Sequence, residues 1–189
     1  METVDVDEVI IAKLRKSGIS IKMKSLENCD FLIIIEQKGE IVGAGGVGGI
    51  FHVPSLQIHE EYQKKGLGTI IFDKTIAEAK KRKYSFLFGS RNPENINAVK
   101  IHDYYKLNPI FQIKYKSEFT RDIVFLEFNY KGKLIKKILK IFNTKIGMTF
   151  FIISIKILKS TLFKILFTYP PEEFPNPDIT YAIKNFKKL

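Results

Sequence analysis

The chain has a single cysteine, Cys29, among 189 residues, so no disulfide framework can staple it. Three scattered histidines and that lone thiol give neither a CxxC nor an HxxxH spacing, which excludes the common metal-site patterns. The opening Met1-Glu2-Thr3-Val4-Asp5 lacks the basic stretch and apolar run of a secretory signal, so the expected setting is a reducing cytoplasm. Long hydrophobic runs are missing too, because lysines interrupt every stretch before about eighteen apolar residues accumulate. Acidic residues are absent from 131–170, which hold nine lysines. Residues 1–130 carry 19 Lys/Arg against 17 Asp/Glu, and residues 171–189 balance three against three. The net charge of +11 therefore belongs to one segment and not to the whole fold.

With 45% apolar content the chain can bury one core and an appendage. The expected division is a catalytic domain over residues 1–130 and a basic helical extension over 131–189. Residues 7–16 read as a short helix, acidic at its start, basic at its end and stopped by Gly18. Residues 31–36 read as a buried strand, turned at Lys38-Gly39 into an antiparallel return from Glu40. Residues 50–54 read as strand-like and stopped by Pro54, and 55–58 as a further short strand. An amphipathic helix is expected from Gly68, then a strand at 84–89, a helix opened by Asn92-Pro93-Glu94 and ended near Leu107 by Asn108-Pro109, and strands at 111–115 and 123–130.

Within the return strand, Gly43-Ala44-Gly45-Gly46-Val47-Gly48 contains GxGxxG. A dinucleotide site needs a helix directly afterwards to hold the pyrophosphate, and a strand-like segment follows instead. These glycines read as marks of a bent or bulged strand.

Chemistry concentrates at Gln63-Lys64-Lys65-Gly66-Leu67-Gly68-Thr69. A strand precedes it and a helix follows, an order that gathers exposed N–H groups and a helix dipole at one point, where phosphate binds. Two glycines let the main chain approach an anion, and Lys64 and Lys65 add positive charge. The sequence Q-K-K-G-L-G resembles the pyrophosphate signature [QR]-x-x-G-x-[GA] of the GNAT superfamily of acyl-CoA-dependent N-acetyltransferases, and the resemblance covers about residues 28–130. It implies an α+β fold, layered α/β/α, with a central mixed, mostly antiparallel sheet splayed between strands four and five. It also implies acetyl-CoA as acyl donor, its pantetheine arm bound by the backbone at Gln57 and Ile58 and its pyrophosphate by the amides from Gln63 to Thr69.

A second family motif, N-x-x-A-x-x-[LI]-Y-x-K-x-G-F, is matched in two registers. With Asn95 first, Ala98 and Ile101 align and His102 stands where the family has tyrosine; with Asn97 first, Tyr104 takes that place. In the family the asparagine contacts the cofactor and the tyrosine protonates the departing thiolate. The resemblance thus makes Asn95 and Asn97 cofactor candidates, and His102, Tyr104 and Tyr105 candidates for the acid. The amine acceptor needs a base, for which His52, His59, Glu60 and Glu61 lie near the cofactor strand. The resemblance further implies that the tetrahedral oxyanion meets a strand-four N–H, that of Ile58.

In the extension, Leu134, Ile135, Ile138, Leu139, Ile141 and Phe142 make one helical stripe, with Lys133, Lys136, Lys137 and Lys140 on the other side. Residues 131–168 fit a peripheral contact with an anionic membrane or with a subunit, or packing on the catalytic domain, better than nucleic acid, which needs lysine without so much apolar surface. Residues 169–177 read as extended and 179–189 as a short closing element. The expected function is an N-acetyltransferase acting on a primary amine in a ternary complex. The alternative is a catalytically weak acyl-CoA-binding module recruited to a membrane or partner by its extension.

Overall fold

Five apolar residues from Phe31 to Ile35, three of them isoleucine, suit a strand covered on both faces. In the computed structural model they form the buried part of β2 (Phe31–Gln37). The structure describes residues 1–19, 26, 29–49, 52–115, 120–157 and 179–180. It is an α+β fold in two units, the first comprising Met1–Tyr84 and the second beginning at Ser85. Each contains one four-stranded sheet, and every strand pair described is antiparallel.

In the first unit the sheet order is β1 (Glu2–Val4), β2, β3 (Glu40–Gly48) and β4 (Val53–Ile58). Strand β1 is an addition to the expected elements. Helix α1 (Glu8–Lys16) is capped by Asp7, whose Oδ1 accepts from the Ile10 N–H at 2.8 Å. It buries Leu14 in a core with Leu32, Ile34, Ile41 and Ala44. Lys38 and Gly39 both take positive φ, +53° and +83°, as a tight two-residue hairpin requires.

The glycine run is continuous strand, and its reason is proximity. A Cβ at Gly45 would stand 2.5 Å from Cγ2 of Ile71 and 3.0 Å from the Ser55 carbonyl oxygen. Helix α2 (Leu67–Lys81) can seat Ile71 on β3 only because that side chain is missing. A bulge does occur on this strand: Ile35 pairs with Gly43 and Glu36 with Ile41, which leaves Val42 of β3 as the extra residue at the start of the glycine run. The expected stop at Pro54 is corrected, since the proline lies inside β4, opposite Val47. The bond from the His59 N–H to the Val42 carbonyl, 2.9 Å, fixes the ladder's phase. In that phase residues 54, 56 and 58 turn their backbone polar groups away from β3, so Pro54 removes no ladder bond.

Helix α2 ends without glycine. Lys83 adopts φ +60°, its N–H bonds the Lys80 carbonyl and the Tyr84 N–H bonds that of Ala79, the pattern of a Schellman motif. The Tyr84 hydroxyl then donates to Asp30 at 2.8 Å, and His52 stacks on the Tyr84 ring at 3.9 Å. Burial pushes the Cys29 thiol up to about 12, with the Asp30 charge adding to it, so this cysteine stays protonated.

In the second unit the sheet order is β5 (Phe86–Arg91), β7 (Thr120–Glu127), β6 (Asn108–Tyr115) and β8 (Ile179–Thr180). Helix α3 (Ile96–Tyr104) is shorter than the expected 92–107. Asn92 Oδ1 accepts from the Glu94 N–H, which closes a turn, and Asn95 rather than Asn92 caps the helix. Its other end is again a lysine Schellman motif: Lys106 has φ +59° and the Leu107 N–H bonds the His102 carbonyl at 2.8 Å. Asn108 and Pro109, expected to stop the helix, already belong to β6.

Buried Arg91 fastens α3 to this sheet. Its guanidinium reaches Asp103 at 2.7 Å and Asp122 at 3.4 Å, and Asp122 accepts from Gln112 Nε2 at 2.6 Å. Strand β7 ends at Glu127, so Tyr130 begins helix α4 (Tyr130–Leu139) instead of ending a strand. A 3-10 turn (Lys140–Asn143) and α5 (Lys145–Ile157) follow, and Phe111, Phe142 and Phe151 pack ring against ring at 5.2 to 5.8 Å. Among the described residues no helix is long and apolar enough to cross a membrane. The readings placed on residues 158–178 and 181–189 lie outside the described residues.

Burial first, and then the Arg91 charge, lower the His102 pKa to about 4, against a smaller raising effect of Asp103. The unfolded chain therefore binds a proton near pH 6.5 that the folded chain refuses until about pH 4. Stability present above pH 6.5 should fall by up to about 3 kcal/mol as the pH drops through that window. Denaturant melts from pH 7 to pH 4 measure it, and His102→Asn should flatten the slope between pH 6.5 and pH 5.

Candidate active site

In the first unit the strand edge and the helix start meet in one short stretch. Ile58, the last residue of β4, lies opposite Gly43 and points its N–H and C=O away from β3. Gln57 occupies the alternate position, opposite Ala44, with its polar groups in the ladder. The chain then makes a 3-10 turn over Glu60–Tyr62 with Glu60 and Glu61 exposed. Gln63 Nε2 donates back to the Ile58 carbonyl at 3.2 Å. The glutamine of the signature thus ties the loop to the strand end from which it departs.

Lys64 takes φ +61° and Gly66 φ +79°, so the main chain coils twice through the left-handed region before α2 starts. Gly66 occupies the N-cap position, no side chain caps the first turn, and that turn contains no acid. The positive end of a fifteen-residue helix therefore stands without a counter-charge from its own first turn. A Cβ at Gly66 would have no heavy atom within 4 Å, so there is open space where an anion would approach. Gln63, Lys64, Lys65 and Thr69 are exposed around it, Leu67 and Gly68 partly so, and Lys65 Nζ lies 4.8 Å from the Tyr62 ring centre. The first-unit cofactor candidates thus lie along one short stretch of chain, Gln57 and Ile58 on β4 and Gln63 to Thr69 on the turn that opens α2.

The base candidates differ in surroundings. His52 is half-buried against Tyr84, and burial lowers its pKa against the opposing effect of Asp30. His59 leans edge-on to Tyr62 at 5.8 Å. Glu60 and Glu61 face solvent.

The second unit holds the remaining candidates on α3. Asn95 Oδ1 accepts from the Ala98 N–H at 3.1 Å, so its carbonyl oxygen is engaged as a cap. Asn97 is exposed. His102 is held neutral at pH 7. Tyr104 is 74% exposed and meets the ring of half-buried Tyr105 edge-on at 4.8 Å. The Arg91–Asp122 pair, which orders this helix, was not legible as a motif because its members lie on separate strands 31 residues apart.

Comparison with known proteins gives an independent reading of this arrangement. Residues 12–102 match the family model described as Acetyltransferase (GNAT) domain. Comparison with curated proteins finds no match. Among solved structures, the chain is similar to a ribosomal-protein-alanine N-acetyltransferase from Brucella melitensis, with TM-score 0.56 and 14% identity over 68% of this chain and 100% of that one. It is also similar to an IAA acetyltransferase from Bacillus cereus, with TM-score 0.53 and 12% identity over 67% and 97% of the two chains. A third likeness is to the NatC complex bound to Gag peptide and CoA, with TM-score 0.52 and 12% identity over 68% and 100%. At such identities the likeness is one of fold. The matched segment runs from α1 through the cradle before α2 into α3, and over those residues the chain matches an acetyltransferase domain of the GNAT superfamily.

Proposed function

We propose that the chain transfers an acetyl group from acetyl-CoA to a primary amine by direct attack within a ternary complex. The carrying observation is the pairing of an outward-facing Ile58 backbone with an uncapped helix start at Gly66, five residues beyond Glu61. The amides of the first turn of α2 and the charges of Lys64 and Lys65 suit the pyrophosphate, and the backbone beyond the ladder at β4 suits the amide-rich pantetheine arm. Residues 1–130 form the acyltransferase domain in this reading and 131–189 its extension. A donor of this kind places the reaction in the cytoplasm.

An alkylammonium acceptor with a pKa of about 10.4 must lose its proton, which costs about 4 kcal/mol near pH 7. Glu60, exposed at the strand end, takes that proton through water. The amine nitrogen attacks the thioester carbonyl, and the tetrahedral oxyanion accepts a hydrogen bond from the Ile58 N–H. Collapse breaks the C–S bond, the CoA thiolate takes a proton from a hydroxyl at the end of α3, and the surplus proton on the amide nitrogen returns through water to the phenolate left behind. His102 is poorly suited to that step because it carries no proton to spare at neutral pH, which leaves Tyr104 and Tyr105. The same fact favours a second reading, a weak catalyst that chiefly binds acyl-CoA, since His102 stands in the family's tyrosine position in the register that Asn95 caps.

Calorimetric titration with acetyl-CoA and, separately, with NADH is the direct test. Micromolar binding of acetyl-CoA alone is expected, and absence of that binding overturns both readings. Gly66→Asp should abolish the binding at a stability cost of only about 1 kcal/mol, because its side chain enters open space and the cost is that of holding a non-glycine residue at φ +79°. Retained affinity would remove the cradle from the site. In an amine-dependent assay, replacing the acting tyrosine by phenylalanine should lower kcat about 100-fold without changing acetyl-CoA affinity. If neither Tyr104→Phe nor Tyr105→Phe does so, the binding-module reading stands instead.

A further inference from the structure

Helices α4 and α5 each carry two apolar stripes, and only one stripe of each is covered. On α4 the covered face is Gly132, Ile135, Lys136 and Leu139, which takes in only Ile135 and Leu139 of the helix's expected stripe and leaves Leu134 and Ile138 outside. Two contacts fix this rotation. A Cβ at Gly132 would stand 2.1 Å from the Ser85 carbonyl oxygen, so only this glycine lets the helix lie there. Lys136 Nζ, turned inward, holds Glu127 Oε2 at 2.7 Å. Leu134, Ile138 and, in the following 3-10 turn, Ile141 are left 50%, 53% and 57% exposed. Helix α5 repeats the arrangement. Met148 is fully buried and Phe151 packs on Phe111, whereas Ile146, Phe150 and Ile153 are 84%, 65% and 49% exposed.

Both outer stripes have i, i+4, i+7 spacing, so they are continuous apolar faces and not the scattered exposure normal for a surface. Lys131, Lys133, Lys137, Lys140 and Lys145 are exposed on the same elements, and residues 131–170 contain no acid. We propose that this face docks on an anionic lipid bilayer, the apolar stripes entering the acyl boundary and the lysines meeting headgroup phosphates. A second copy of the chain would set these lysines against their own equivalents with no carboxylate to answer them. Nucleic acid would engage the lysines and leave six large apolar side chains in water.

The test uses the full chain and vesicles of phosphatidylcholine, with and without about 30% phosphatidylserine. Co-sedimentation should favour the anionic vesicles at least about tenfold, and Ile138→Asp combined with Phe150→Asp should lower that affinity at least about tenfold. Lys137→Glu combined with Lys140→Glu should do the same. Acetyl-CoA binding by both variants serves as the control for folding. Equal affinity for the two vesicle types overturns the proposal, as does undiminished vesicle binding by the aspartate variant. Concentration-dependent self-association that Ile138→Asp abolishes, without vesicle binding, would assign the face to a second copy and also overturn it.

Discussion

The close approach of Ile71 to the bare backbone at Gly45 is the constraint from which the candidate site follows. A helix laid that near a strand has little freedom to slide, because Ile71 sits where any side chain at position 45 would be. The start of α2 is therefore fixed relative to β3, and through the ladder to β4. The distance from Ile58 to Gly66 is then spanned by a loop whose shape has few solutions. Two left-handed residues and the Gln63 tie to the Ile58 carbonyl complete it. The cradle is thus a by-product of helix-on-sheet packing, and the glycines of β3, which make no contact with an anion in this account, are as necessary to it as Gly66.

The signals legible in the sequence were those carried by local chemistry. Asp7 announced α1, Lys38-Gly39 the hairpin, and Q-K-K-G-L-G the strand-to-helix turn. Each works within a few residues, where propensity and capping dominate. What escaped notice depended on distant partners or on atypical terminators. Strand β1 is three residues long, two of them polar, and exists because Glu2, Thr3 and Val4 find β2. The helix end at Lys106 carries neither of the usual stop residues, so the end of α3 was placed late and assigned to proline. Strand β4 includes Pro54 for a reason visible only once the ladder's phase is known.

The site candidates divide along the same line. The phosphate turn of the first unit is a contiguous run of sequence and was readable as one. The acid candidates of the second unit depend on which way α3 is turned, and that is set by Arg91 of β5 reaching Asp103 and, on β7, Asp122. The buried guanidinium has a second effect, since its charge helps keep His102 neutral. The rotation of α4 belongs to the same class of information: hydrophobic periodicity counted the apolar residues correctly, but Gly132 and Lys136 decided which of them met the sheet.

Five residues other than glycine hold positive φ in the described structure, and four of them, Lys38, Lys64, Lys83 and Lys106, are lysines. Each sits in the left-handed region at a penalty of about 1 kcal/mol. Together they withhold an amount comparable to a sizeable fraction of the 5–15 kcal/mol that separates a typical folded domain from its unfolded chain. Lys38, Lys83 and Lys106 lie at a hairpin turn and two helix ends, and none belongs to the stretch from Gln63 to Thr69. The chain therefore holds thermal headroom in its backbone: glycine or asparagine at those three corners would harden the scaffold while leaving the phosphate turn, where Lys64 bends for a purpose, untouched.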